Sequence, residues 1–101
     1  MKTLPPYAEF LGIHAEHKEG ELRYVMPFSD VVLGRPGFLH GGAIAGLLEF
    51  AAFGALYQAL GDEPVRVKPV NVTVQYMRGG IDHDTFASAT ITRLGKRVAN
   101  I

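Results

Sequence analysis

The stretch Gly37-Phe38-Leu39-His40-Gly41-Gly42-Ala43-Ile44-Ala45-Gly46-Leu47-Leu48-Glu49 holds the residues of this chain best suited to chemistry. Gly41 and Gly42 fall where a loop gives way to an apolar run that reads as a helix. The first N–H groups of a helix lack intrahelical partners and lie at the positive end of its dipole. With no β-carbon at either position, a ligand can approach the backbone closely. Such N–H groups can hold a developing oxyanion; the same glycines could equally serve close helix packing. Glu49 is the only residue charged at neutral pH between Gly41 and Leu60. An unpaired buried carboxylate is costly, or its pKa rises, so one kept there is a candidate base or nucleophile. The plainer alternative is a glutamate on a solvent-facing stripe. Positions 45, 46, 52, 53 and 56 on that stripe are Ala, Gly, Ala, Phe and Leu, so Glu49 is expected to be buried.

His40 precedes the glycines and could position a carbonyl or orient the loop, although a lone histidine is more often structural. His14 and His17 are three apart on an expected strand, so they point to opposite faces and cannot share a metal. His83 sits in an Asp82-His83-Asp84 turn and is expected to be solvated. No metal site and no cofactor are expected. Arg93-Leu94-Gly95-Lys96-Arg97 places three cations around a turn. This is either a solvated hairpin tip or a phosphate clamp using charge-assisted hydrogen bonds. Arg66, Lys68 and Arg78 are weaker candidates. Phe50, Phe53 and Tyr57 could line an acyl or aryl pocket or simply fill the core.

Several elements must position these groups. Residues 4–11 read as a short helix with Thr3 as N-cap, Pro5 and Pro6 in its first turn, and Gly12 as its stop. Alternating Ile13, Ala15 and His17, a Glu19-Gly20 turn, and alternating Leu22, Tyr24, Met26 and Phe28 predict a hairpin. A loop over 29–39 leads to the long helix, which ends near Gly61-Asp62-Glu63-Pro64. The clearest strand pattern follows: Val70, Val72, Val74 and Tyr76 on one face, with Asn71, Thr73, Gln75 and Met77 on the other. Gly79-Gly80 breaks it. A second strand is expected over Phe86–Leu94 with Ala87, Ala89 and Ile91 facing one way, and a third over Val98–Ile101.

Composition narrows the function classes. At 101 residues the chain is one domain. Ten basic and ten acidic side chains balance to a formal net charge of zero, which argues against the basic excess that non-specific nucleic-acid binding needs. With no cysteines, there is no disulfide scaffold, thiolate nucleophile or cysteine-ligated zinc site, and the compartment is expected to be cytoplasmic. Lys2 is followed by Thr3-Leu4-Pro5-Pro6, which breaks any apolar leader before it starts. The run from Gly41 to Leu60 is long enough to span a bilayer, but a carboxylate near its middle and its glycines argue for a helix buried in a soluble oligomer. Apolar residues make up 48% and charged residues 20%. That is rich for so small a domain and calls for a second chain to cover part of the apolar surface.

His40-Gly41-Gly42 with Glu49, then the Val70–Met77 strand and the Arg93–Arg97 turn, resembles in that order the hotdog-fold thioesterases of the phenylacetate-pathway and 4-hydroxybenzoyl-CoA type. The resemblance covers roughly residues 7–101. It implies an α+β hotdog fold, a curved antiparallel sheet wrapped around a long central helix, in a homodimer or homotetramer. It implies hydrolysis of an acyl-CoA thioester to a free acid and CoA. By position, the Gly41 N–H, with Gly42 beside it, polarises the thioester carbonyl. His40 supports the loop, and Glu49 activates water or attacks directly. Arg93, Gly95, Lys96 and Arg97 bind CoA phosphates, and Asn71 is counted with the substrate-binding residues.

Relatives often carry an amide side chain six residues before the histidine, where this chain has Gly34, and their domains continue through further strands after the basic turn. The expectation is therefore a single domain over 1–101 lacking its last strand or strands. A hotdog dehydratase or hydratase, and a non-catalytic acyl-CoA-binding domain, are the other readings. Gly41 and Glu49 are eight positions apart, about 12 Å along a helix and roughly 80° around it. One helix cannot easily bring both to one carbonyl, so the site is expected to be shared between antiparallel subunits.

Overall fold

A computed structural model describes residues 4–61 and 67–101. The first helix, α1, runs Pro6–Leu11. Pro5 stands at its N-cap with φ −66° and no side-chain cap bond; Thr3, expected in that role, lies outside the described residues. Proline suits this end because its missing N–H would have had no partner there. Gly12 closes the helix in the left-handed region, its N–H reaching Ala8 O and Glu9 O, and α1 buries Ala8 and Leu11.

The expected hairpin forms as β1 (His14–Lys18) and β2 (Glu21–Met26). They pair antiparallel from His14 opposite Val25 to Lys18 opposite Glu21. Glu19 (φ 54°) and Gly20 (φ 81°) both take positive φ, the backbone that tight hairpin loops require. Glu16 and Arg23 face each other across the pair and form a salt bridge, and the Arg23 guanidinium stacks on the Phe86 ring at 4.3 Å. The short β3 (Thr85–Ala87) joins the other edge of β2, Tyr24 opposite Ala87, giving the sheet order β1-β2-β3.

The long helix α2 (Gly41–Leu60) lies against this sheet. Ala43, Gly46, Leu47, Phe50, Ala51 and Gly54 are its buried stripe, at the three- and four-residue spacing of a single helix face. With Tyr24, Met26, Val32, Leu39 and Ala87 they form the core. Gly46 lets α1 come close: a β-carbon there would stand 3.1 Å from the Tyr7 ring. Among the described helices α2 alone is long and apolar enough to cross a membrane, a test that a core helix also passes.

Two expectations are corrected. Residues 70–77 carry the alternation of a strand but enter no ladder. Alternation fixes where side chains point; a ladder also needs a neighbouring backbone, and no described segment pairs with this one. Val70 is 84% and Met77 86% exposed, with Val74 only half-buried. The strand expected over 86–94 is likewise divided. Only Thr85–Ala87 pairs with β2, while Arg93–Leu94 (β4) pairs with Ala99–Asn100 (β5) in a separate two-stranded ribbon. The expected facing survives the division, with Ala87 buried and Ala89 and Ile91 half-buried.

Candidate functional site

The corner where the loop enters α2 is fixed from several directions. A 3₁₀ turn over Asp30–Val32 precedes it, and the His40 N–H donates to Val32 O at 2.8 Å. The intervening loop closes on itself through Gly34 N–H to Phe38 O at 3.0 Å and a bridge between Leu33 and Leu39. Gly34 backs onto His40, and a β-carbon at 34 would stand 3.2 Å from His40 Cα. Position 34 is thus packed against backbone. From the far side, Leu39 N–H donates to Gly80 O at 2.9 Å and Phe38 bridges to Ile81.

His40 is the N-cap of α2, its Nδ1 accepting from the Gly42 N–H at 2.9 Å. Accepting at Nδ1 requires that atom to be unprotonated, which assigns the neutral ring's proton to Nε2. A side chain at Gly42 would crowd this cap: a β-carbon there would sit 3.0 Å from Nδ1 and 3.1 Å from Cε1. The His40 carbonyl takes the N–H groups of Ala43 and Ile44 at 3.0 and 3.2 Å. Of the first helical donors, the Gly42 N–H is therefore occupied, and the Gly41 N–H bonds to no described group. An unpaired N–H at a helix start can receive an anionic oxygen.

Tyr76, which reads from its spacing as one more apolar-face residue, lies at the same corner. Its hydroxyl donates to Gly41 O at 2.9 Å. No sequence signal marks this contact, because it joins residues 35 apart.

Glu49 lies on the same helix, about two turns beyond Gly41. It is half-buried rather than buried, and no charged residue is buried among those described. The reason is geometric: on the stripe around it Gly46 and Leu56 are buried, but Ala45, Leu48, Ala52 and Phe53 are half-buried or exposed, so the described residues cover that face only in part. Asn71 is exposed, as are Arg93, Gly95, Lys96 and Arg97 on the β4–β5 ribbon. Gly95 forms the ribbon's turn, with its N–H donating to Val98 O at 3.0 Å. A single chain thus gathers His40, Gly41, Gly42 and Tyr76, leaves Glu49 farther along α2, and carries the basic turn on a separate ribbon. Arg66 lies outside the described residues. Among those described, no three acidic or histidine side chains group as metal ligands.

The model of the thioesterase superfamily matches residues 36–101, which includes the helix entry, Glu49 and the basic turn. Among solved structures, the chain is similar to the BH2602 protein from Bacillus halodurans, whose crystal structure was determined with CoA. The two are 24% identical with a TM-score of 0.83, and the match covers 95% of this chain and 64% of that one. No curated protein matches the chain. The helix laid along an antiparallel sheet is a hotdog fold. The chain belongs to the thioesterase superfamily, and it spans 64% of the length of the solved structure it matches.

Proposed function

We propose that this chain is an acyl-CoA thioesterase unit that works in the cytoplasm as a homo-oligomer. The observation that carries the reading is the Gly41 N–H, which bonds to no described group at the start of α2 while the donors around it are taken. The thioester carbonyl accepts from this N–H. Glu49 removes a proton from water as the water oxygen bonds to the carbonyl carbon. The tetrahedral oxyanion is held at Gly41, the C–S bond breaks, and the CoA thiolate leaves and takes up a proton. His40 holds the corner through Gly42. Arg93, Lys96 and Arg97 meet the CoA phosphates around the Gly95 turn, and Asn71 contacts the substrate. The CoA in the Bacillus halodurans structure supports the choice of ligand.

Gly41 and Glu49 lie on one helix, about 12 Å apart along its axis, which is too far for one carbonyl. The uncovered helix face around Glu49 and the exposed apolar side chains of Val70, Val72 and Met77 support a second copy that brings its own Glu49 to this Gly41. The test is release of free thiol from a panel of alkyl- and aryl-CoA esters. Glu49→Gln should lower kcat by at least about 100-fold, as loss of a general base does, with folding intact. Near-normal kcat in Glu49→Gln would overturn the mechanism. Acyl-CoA binding without thiol release would leave a binding domain instead.

A further inference from the structure

Two arginines of this chain lie over aromatic rings, and they differ in one respect. Arg23 lies 4.3 Å from the Phe86 ring centroid and is paired with the Glu16 carboxylate. Arg35 lies 4.6 Å from the Phe38 ring centroid, and no ion pair among the described residues includes it. We propose that Arg35 is a substrate-binding residue whose guanidinium, seated on Phe38 beside the helix entry, receives a carboxylate carried by the acyl group. The inference rests on the thioesterase reading above and narrows its substrates to CoA esters of short dicarboxylic acids.

The backbone builds the seat. Arg35-Pro36-Gly37-Phe38 is a β-turn closed by the Phe38 N–H to Arg35 O at 3.0 Å. Proline at its second position and Gly37, with φ 83°, at its third make it type II. Such a turn brings its first and fourth residues close together, which is how the cation meets the ring. Phe38 is then clamped: its carbonyl takes the Gly34 N–H, it bridges to Ile81, and a β-carbon at Gly79 would stand 3.3 Å from its Cε1. The ring face attracts the guanidinium, whose five donors form a planar fork that matches a carboxylate. Arg35 is exposed, and Asp82, next to the bridging Ile81, forms no ion pair with it. The acid that Glu16 supplies to Arg23 is thus left for a ligand to supply to Arg35. Phe38 stands three residues before Gly41, so at most about 11 Å of chain separates the seat from the proposed oxyanion donor. A carboxylate a few methylenes from the thioester carbonyl spans such a gap. The CoA phosphates lie farther off, because the whole pantetheine arm stands between them and the thioester.

The experiment compares two ligands of equal length, the thioether analogues of glutaryl-CoA and valeryl-CoA in which a methylene replaces the thioester carbonyl, so that binding is read without turnover. The wild type should bind the glutaryl analogue about 10-fold more tightly, as a hydrogen bond to a charged group allows. Arg35→Leu should erase that preference, Arg35→Lys should keep part of it, and Phe38→Leu, which removes the seat, should reduce it. No preference in the wild type would overturn the proposal. Equal weakening of both analogues in Arg35→Leu would also overturn it, by placing the guanidinium on a CoA phosphate. Thiol release from the two true thioesters separates this proposal from the reading beneath it. Release from both with no binding preference would sink the carboxylate seat and leave the thioesterase reading standing. A clear preference with no thiol release would sink the thioesterase reading and leave Arg35 as the receptor of a carboxyacyl-CoA ligand.

Discussion

The Tyr24 ring occupies the space that a side chain at Gly54 would need: a β-carbon built on Gly54 would overlap its Oη, Cε2 and Cζ atoms. β2 and α2 can lie this close only because position 54 has no side chain. Tyr24 is 6% exposed, so the ring has little room to swing aside. Gly54→Ala sets two effects against each other. Alanine improves helix propensity by about 1 kcal/mol, while overpacking a closed core costs about 1–3 kcal/mol. With a rigid ring in the way, the second should win. The urea midpoint should fall at constant m-value, by roughly 1–2 kcal/mol of stability. An unchanged or raised midpoint would mean that β2 can retreat from α2.

The same contact gives an alkaline signature. Burial pushes the Tyr24 hydroxyl above its ordinary value of 10.0, because the ionised phenolate is poorly solvated there. Below the unfolded value both states carry neutral phenol, and the contribution is fully present. As pH rises past about 10, the unfolded chain releases the proton first, and stability falls through the folded value. Urea midpoints between pH 8 and 11.5 should decline more steeply in the wild type than in Tyr24→Phe. Parallel curves would show that Tyr24 ionises in the folded chain as it does in the unfolded one.

His40 can be divided into cap and chemistry. His40→Ala removes the acceptor for the Gly42 N–H and should cost about 1 kcal/mol, as lost N-caps do, while lowering kcat. Asparagine is among the best N-caps. His40→Asn should therefore regain the stability and most of the rate if the imidazole acts by holding the corner. A variant with wild-type stability and none of the activity would instead give the ring a direct part in the reaction.

The basic turn should govern substrate capture. Arg97→Ala should raise KM for CoA esters several-fold with little change in kcat, and added salt should have the same effect on the wild type. A short thioester without the nucleotide should not respond. Gly95→Ala should act on the ribbon itself, since a β-carbon there would stand 2.8 Å from Val98 O. Equal loss of activity in Arg97→Ala on both kinds of substrate would exclude a phosphate clamp.

Much of the framework was legible because its signals are local. Prolines and Gly12 bracket α1, Glu19-Gly20 sets the hairpin, and the apolar run from Gly41 to Leu60 marks α2 at its observed bounds. Residues 70–77 were misread because strand pairing depends on a neighbour that alternation does not reveal. Glu49 was expected to be buried because its helical neighbours are apolar, but Ala45, Leu48, Ala52 and Phe53 are themselves only partly covered and cannot bury it. The helix entry was legible as His40-Gly41-Gly42, while the division of labour within it was not. That the Gly42 N–H serves the cap, while the Gly41 N–H bonds to no described group, follows from where one histidine ring lies, and the Tyr76 bond is a contact between distant segments.

The route by which the helix entry is tied down bears on when it can form. Hairpin and helix close over short stretches of chain, which fold quickly, whereas long-range closures carry a larger entropic cost before any contact rewards them. Tyr76 and Gly80 both meet this corner from beyond the far end of α2. The helix entry, like the β2–β3 pairing between Tyr24 and Ala87, is therefore expected to assemble after the hairpin and helix. Modest destabilisation should loosen it while the hairpin and helix persist, so activity would fade before helical signal does.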